Sequence, residues 1–200
     1  MFSGIVLAGG KSKRMGMDKR YAMFSGMNLL ELSIKRLKGI TEEVLVVLGE
    51  KENLDIEDAR FLLDVEKNRG PMVGIFSGLY EMKNPYGLVT PADTPLLTIG
   101  FLNYLKENAI GYDVTVPRWK RRIEPLIAVY SRNLLTVMKE WIRKEEDLAP
   151  NLFIHRLNFR VRFIEEEEIS KFGNPETLFL NINTEADLKT AKRIIWGNDS

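Results

Sequence analysis

Leu7-Ala8-Gly9-Gly10-Lys11-Ser12-Lys13-Arg14-Met15-Gly16-Met17-Asp18-Lys19 follows the apolar run Gly4-Ile5-Val6-Leu7-Ala8 at the head of the chain. The run reads as a buried strand, and Gly9-Gly10 as the loop that leaves it. Adjacent glycines let the backbone approach a ligand closely and turn N–H groups toward an anion. Lys11, Lys13, Arg14 and Lys19 place four cations within nine residues. Backbone donors combined with side-chain cations are what a triphosphate requires. Two familiar nucleotide loops are excluded by spacing. Gly10-Lys11-Ser12 would supply the end of a Walker A loop, but its leading glycine position holds Ile5, and the dinucleotide pattern Gly-x-Gly-x-x-Gly is missing. Taken alone, the stretch also admits an ordinary basic surface turn.

Outward from this loop, strands alternate with helices. Residues 28–38 read as a helix with Leu29, Leu30, Ser33, Ile34 and Leu37 mostly on one face and Gly39 as its stop. Strands follow at 44–48 and at 60–63, the second ending at Asp64. Gly70-Pro71 opens a helix over 72–82, with proline in a first-turn position where its missing N–H is not needed. A strand at 87–90 is cut off by Pro91, and Thr98 caps a helix over 98–108. Later come strands at 113–116 and 123–130, a helix at 134–143, and strands at 161–164 and 178–182. The last helix spans 184–195, with Thr184 as N-cap and Asp187 three residues on. The strands are apolar throughout rather than alternating, which predicts an α/β fold with a mostly parallel central sheet covered by helices on both faces, a Rossmann-like three-layer α/β/α arrangement. The run Glu165 to Glu168 reads as a solvated face.

Composition narrows the function classes. At 200 residues the chain suggests one domain, and a domain of this length buries roughly 70% of its unfolded surface, so it needs no staples. It has no cysteine, which removes disulfides, thiolate metal sites and cysteine nucleophiles together. Lys plus Arg is 29 and Asp plus Glu is 28, and a net charge of +1 supplies no global field for nucleic acid or an anionic membrane. No apolar run approaches the ~20 residues that span a bilayer, and no signal-peptide pattern opens the chain. The expectation is a cytoplasmic protein, monomeric by default, with anion binding confined to local clusters.

Three further clusters bear on chemistry. Pro91-Ala92-Asp93-Thr94-Pro95 follows an apolar strand, and open α/β sheets bind ligands at the carboxyl ends of their strands. Asp93 there could hold Mg2+ with water and phosphate oxygens completing the shell, or simply cap the next helix. Asn181-Ile182-Asn183-Thr184 ends another apolar run; Asn181 and Asn183 could ligate metal or hold an acceptor, or serve only the turn. Arg118-Trp119-Lys120-Arg121-Arg122 is the densest basic cluster. Its Arg118, Arg121 and Arg122 could hold an acceptor's phosphate while Trp119 stacks on a ring, or the segment could be a solvated hairpin tip. His155, the single histidine, is far from every motif and reads as structural or surface.

The glycine loop resembles the signature of the nucleotidylyltransferases, in which Leu-Ala-Gly-Gly-x-x-x-Arg-Met-Gly-x-x-Lys wraps a triphosphate; this chain carries Leu7, Ala8, Gly9, Gly10, Arg14, Met15, Gly16 and Lys19 in that pattern. Gly70-Pro71-Met72-Val73-Gly74-Ile75 with Gly78-Leu79, the Asp93 segment, Glu124-Pro125-Leu126-Ile127-Ala128-Val129-Tyr130 and Asn181-Ile182-Asn183-Thr184 extend the likeness to molybdenum cofactor guanylyltransferase, the MobA family. The resemblance runs from the first strand to the last helix. It implies a fold of the nucleotide-diphospho-sugar transferase type, with about residues 1–110 as the nucleotide-binding half and 111–200 as the acceptor-binding half. It also implies Gly70 and Gly74 beside guanine, Asp64 on the nucleoside, Arg14 and Lys19 on phosphates and Asp93 on magnesium. Three positions depart from the family pattern: Leu48-Gly49-Glu50 where relatives often have asparagine, Glu124 where glutamine or histidine is common, and Ala92 where cysteine is frequent.

The reaction the resemblance implies is attack of the phosphate of molybdopterin, carrying molybdenum or tungsten, on the α-phosphorus of GTP, with pyrophosphate leaving. A phosphate monoester with a second pKa of ~6 is already mostly a dianion at neutral pH, so a chain with one histidine and no cysteine lacks nothing the chemistry needs. A transfer of CMP to the same cofactor, of GMP to another phosphorylated acceptor, and a non-catalytic GTP-binding module stay open at this point. Handover to other cofactor-assembly proteins or to a client apoenzyme rests on the resemblance.

Overall fold

A computed structural model describes residues 1–9, 18–51, 56–65, 69–145, 147–156 and 158–197. Strand β1 (Phe2–Leu7) opens the fold, followed after the loop by a small hairpin, β2 (Met23–Phe24) and β3 (Met27–Asn28), and helix α1 (Leu29–Lys38). Then come β4 (Glu43–Leu48), β5 (Arg60–Leu63), α2 (Pro71–Glu81), β6 (Tyr86–Pro91) and α3 (Ile99–Glu107). The later half holds β7 (Val114–Trp119), β8 (Arg122–Ile123), β9 (Ala128–Ser131), α4 (Leu135–Lys144), α5 (Pro150–Arg156), β10 (Val161–Glu165), α6 (Glu166–Ile169), α7 (Pro175–Leu178) and α8 (Glu185–Trp196).

The central sheet runs β5-β4-β1-β6-β9-β7-β10, with β8 paired to β7. All pairs from β5 to β6 are parallel; β9 lies antiparallel to both β6 and β7, and β10 returns parallel to β7. Successive side chains of a strand point to opposite faces. Ile5, Leu45 and Val89 accordingly enter a core under α2, α4 and α5, while Val6, Val46 and Leu88 enter one under α1 and α3. Helices thus cover both faces, and the sheet strands are apolar for that reason. A third cluster of Ala22, Phe24, Leu29, Ile182 and Ala191 fastens α8 to the hairpin beside α1.

Local chemistry sets the element boundaries. Asn28 caps α1 through Glu31 N at 2.8 Å while Glu31 reaches back to Asn28 N at 3.1 Å. Thr184 and Asp187 form the same reciprocal box at the start of α8, with Asp187 N donating to Thr184 Oγ1 at 3.2 Å and Thr184 N to the Asp187 carboxylate at 2.8 Å. Pro71 takes the first helical position of α2 after Gly70, whose φ of 92° suits only glycine without strain.

Two sequence expectations fail and a third holds only in part. The single strand expected over 123–130 is two short strands separated by a turn. Glu124 N pairs back to Pro117 O at 3.0 Å, Ile127 N closes on Glu124 O at 2.9 Å, and the buried Tyr130 hydroxyl donates to Pro125 O at 2.7 Å. Pro125 cannot donate to a ladder, so the apolar run breaks there. The strand expected over 178–182 is absent, because Pro175 after the Asn174 cap starts α7 instead and the sheet edge beside β7 is already occupied by β10. Leu178, Phe179 and Ile182 are still buried, which is why the segment reads like a strand. The acidic run 165–168 is a solvated face only in part: Glu166 and Glu167 are exposed, whereas Glu168 is held inward. Glu168 accepts from Arg162 Nη2 at 2.5 Å, from the Tyr104 hydroxyl at 2.7 Å and from Glu165 N at 3.0 Å.

Burial pushes the Glu168 carboxyl up, but the Arg162 guanidinium, the Tyr104 hydroxyl and the Glu165 N–H outweigh it and carry it from 4.5 down to about 2. A carboxyl depressed on folding stabilises the protein above its ordinary value, and that contribution is lost as pH falls through the folded value. Glu168→Gln is therefore expected to lower the urea midpoint at neutral pH. The gap to wild type should close between pH 4.5 and about 2. A gap independent of pH would remove the carboxylate from the explanation.

Candidate active site

The carboxyl ends of β1, β4, β5 and β6 open on a cavity of about 510 Å3. Leu7, Ala8 and Gly9 line it from the end of β1, Val47 and Gly49 from β4, Asp64 from β5, and Pro91, Ala92 and Asp93 from β6. Gly70, Pro71 and Gly74 close it from the start of α2, and Lys19, Arg20 and Leu126 complete the wall. The sequence-predicted nucleotide residues Leu7, Ala8, Gly9, Lys19, Asp64, Gly70, Gly74 and Asp93 are thus gathered around one space, although they are spread across 87 positions, from 7 to 93. Gly10 and Arg14 lie outside the described residues.

The strand ends set this geometry. Ala8 N donates to Val47 O at 2.9 Å and Ala92 N to Leu7 O at 3.1 Å, so the chains leaving β1, β4 and β6 stay in register past the strands themselves. Gly49 is required where the β4 exit crosses the β1 exit, since a Cβ on it would stand 2.9 Å from the Gly9 carbonyl oxygen. The backbone of Gly9 is thereby packed against a second backbone. At the other wall Asp64 N donates to Leu48 O at 2.8 Å, and Ser77 Oγ lies 2.9 Å from Asp64 Oδ1, so α2 steers the carboxylate that lines the cavity.

At the rim, Lys19 Nζ forms an ion pair with Asp93 Oδ2 and donates to Asn183 Oδ1 at 2.9 Å. Three segments that the sequence separates by 74 and 164 positions therefore meet on one ammonium group. Both members of the ion pair are 16% exposed, so the pair is largely out of water. Asp93 Oδ1 is buried and, among the described residues, has no hydrogen-bond partner. A buried carboxylate oxygen left unpaired is costly. It fits a site that receives a cation. Among the described residues no group of three or more acidic or histidine side chains gathers to cage a metal. An ion at Asp93 would thus take most of its ligands from phosphate oxygens and water, the habit of Mg2+.

The remaining predicted residues are placed differently. Asn181 Nδ2 donates locally to Phe179 O at 3.3 Å, and neither asparagine ends a strand. Arg118 Nε and Nη2 grip Glu165 at 3.1 and 2.5 Å, and its guanidinium lies 4.2 Å from the Phe163 ring centroid. Lys120 and Arg121 form the tip of the β7–β8 hairpin with φ of 46° and 60°, and Lys120 Nζ reaches Glu176 at 3.3 Å while lying 4.7 Å from the centre of the Trp119 ring. The basic cluster is therefore a hairpin tip partly neutralised by glutamates. Arg121 and Arg122 are exposed. Trp119 Nε1 donates to Glu124 Oε1 at 3.0 Å; burial pushes the Glu124 carboxyl up, against that hydrogen bond and the Arg122 charge. His155 is exposed on α5. Among the described residues no helix is long and apolar enough to cross a membrane. Sequence reading passed over Arg20, and named Gly49 and Leu126 only within longer segments and without a role. Asp18 anchors Arg20 through Nε at 2.9 Å, and Arg20 Nη1 donates to Ala8 O at 3.0 Å; only the basic density of the loop hinted at it.

The same fold and sequence pattern occur in known proteins. The model of the MobA-like NTP transferase domain matches residues 4–157. A protein of Methanosarcina acetivorans named probable molybdenum cofactor guanylyltransferase is 33% identical, over 94% of this chain and 88% of its own length. A protein of the same name from Carboxydothermus hydrogenoformans is 32% identical over 94% of each. Among solved structures, molybdopterin-guanine dinucleotide biosynthesis protein A from Archaeoglobus fulgidus superimposes with a TM-score of 0.80 at 25% identity, covering 96% of this chain and 98% of that one. At 18% identity, 2-C-methyl-D-erythritol 4-phosphate cytidylyltransferase from Thermus thermophilus has a TM-score of 0.70 and shares the fold. Together with a glycine-lined cavity at the strand ends and a lysine, an aspartate and an asparagine converging on its rim, the match over most of its length shows that the chain belongs to the MobA-like NTP transferase family.

Proposed function

We propose that the chain transfers a guanylyl unit from GTP to the terminal phosphate of molybdopterin and releases pyrophosphate. The observation that carries this reading is the meeting of Lys19, Asp93 and Asn183 at the mouth of the cavity, with one buried Asp93 oxygen left open among the described residues. The names of the relatives supply the nucleotide and the acceptor.

The base lies against Gly70 and Gly74 at the start of α2, where a bare backbone admits a flat purine, and Asp64 contacts the nucleoside. The exits of β1 and β4 run beneath the phosphates, with Gly9 leading into the loop that carries Gly10 and Arg14. Lys19 holds a phosphate oxygen by a charge-assisted hydrogen bond. Asp93 would hold Mg2+, whose charge would offset that of the phosphates and ease the departure of pyrophosphate. The acceptor phosphate enters from the later half beside Asn183. A bond forms from its oxygen to the α-phosphorus as the bond to the bridging oxygen breaks, and the electron pair leaves with pyrophosphate. The attacking dianion carries no proton that a base must remove. The protein's work is to align two anions in line and hold them against their repulsion.

A calorimetric titration with GTP, CTP, ATP and UTP, each with magnesium, tests the nucleotide half. GTP alone is expected to give saturable heat; preference for CTP would make the chain a cytidylyltransferase. The acceptor half has its own test. Arg121 and Arg122 are exposed at the hairpin tip, clear of the cavity wall. Replacing both by alanine is expected to raise the acceptor KM severalfold, on the order of the ~1 kcal/mol per exposed charge contact, and to leave GTP binding unchanged. A loss of GTP affinity would assign the tip to the nucleotide half.

A further inference from the structure

Every carbonyl of the loop that carries Asp93 is taken. Pro91 O accepts from Thr94 Oγ1 at 3.2 Å and Ala92 O from Ser33 Oγ at 3.4 Å. Asp93 O accepts from Ile182 N at 2.8 Å. Thr94 O and Pro95 O accept from Arg36 Nη1 and Nη2 at 3.1 and 2.7 Å. Three of these five donors, counted over these bonds, come from one face of α1, where Ser33 and Arg36 stand three residues apart.

Arg36 is an unusual choice for such a task. It is 8% exposed, and among the described residues no carboxylate pairs with it. Burial lowers its guanidinium to about 10, with no neighbouring charge acting on it. Burying a cation without a counter-ion is costly, and a hydroxyl such as Thr94 or Ser33 staples a turn without that cost. What the guanidinium adds is a rigid planar fork, able to hold two successive carbonyls in fixed relation. Those carbonyls belong to the residues directly after Asp93. With the backbone held at each of them and Lys19 on Oδ2, the Asp93 carboxylate is kept with its Oδ1 unpartnered among the described residues.

We infer that Arg36 is a positioning residue of the active site: through the carbonyls of Thr94 and Pro95 it locks the loop so that Asp93 presents one free carboxylate oxygen to the metal that accompanies the nucleotide. The inference rests on the proposed role of Asp93. Residues that orient a metal ligand through hydrogen bonds are worth ~10–100-fold in metal affinity, far more than a remote turn contact would move it.

The test is Mn2+ binding followed by electron paramagnetic resonance in the presence of α,β-methylene GTP, which cannot be cleaved, alongside binding of the same analogue in EDTA. Arg36→Met is expected to weaken Mn2+ about 10-fold while metal-free analogue binding stays at the wild-type value. Arg36→Lys keeps the charge and one carbonyl bond, and is expected to fall between the two; it decides the matter if the methionine variant does not fold. Wild-type Mn2+ affinity in the folded variants, whatever their melting temperature, overturns the inference. Asp93→Asn separates the two claims. Weak Mn2+ binding there with normal binding in the Arg36 variants defeats only the clamp, and normal Mn2+ binding in Asp93→Asn defeats the metal assignment and the clamp together.

Discussion

Asp93→Asn is expected to lower magnesium-dependent turnover by about 10^3-fold or more, the scale on which phosphoryl-transfer sites lose rate when one charge-stabilising group is removed. Asparagine keeps the shape of the side chain and removes its charge. The loop should survive, because its five carbonyls are held by Thr94, Ser33, Ile182 and Arg36 rather than by the Asp93 carboxylate. The variant should therefore melt near the wild-type temperature, with a small loss from Lys19, whose partner becomes neutral. Turnover and thermal melting together check this. Full activity in a folded variant would take Asp93 out of the reaction.

Lys19→Ala is expected to cost the most in nucleotide affinity. Lys19 reaches both Asp93 and Asn183 and lines the cavity. A hydrogen bond to a charged group contributes about 1.5–3 kcal/mol, so the GTP dissociation constant should rise about 10- to 100-fold. Because Lys19 also contacts Asp93 and Asn183, proposed to hold the metal and to border the acceptor, kcat should fall with affinity rather than stay constant. Calorimetry and steady-state kinetics on one preparation measure both. Unchanged GTP affinity would separate the basic loop from the phosphates.

Much of this arrangement was legible in the sequence because local chemistry and tertiary structure agree there. The apolar run at 44–48 is a strand because it is buried between two parallel neighbours, and 60–63 because it pairs in parallel with β4 at the sheet edge. Pro71, Thr98 and Thr184 start helices as their side chains dictate. The failures lie where an apolar run meets a crowded sheet. Residues 123–130 look continuous until Pro125 interrupts the ladder, and residues 178–182 are apolar enough for a strand but find β10 already on the edge. Glu168 was misread because Arg162 and Tyr104, its partners, lie 6 and 64 positions away.

The site divides the same way. Its glycines and Asp93 sit in motifs whose spacing is local, so they were recognisable singly. Lys19 meeting Asn183, the clamp of Arg36 on the Asp93 loop, and Gly49 against Gly9 are contacts between distant segments that no window of sequence contains. The sequence offered Arg118 as a phosphate ligand or part of a hairpin tip but held no sign of Glu165, which reaches it only through the pairing of β7 with β10.

Guanylyl transfer is tested most directly by the mass of the product formed from molybdopterin, magnesium and each of the four nucleoside triphosphates, with pyrophosphate followed in parallel. With GTP, molybdopterin should gain the mass of one GMP and release one pyrophosphate per product, and the other nucleotides should give neither. Equal or greater transfer from CTP, or GTP binding without any pyrophosphate release, would contradict it.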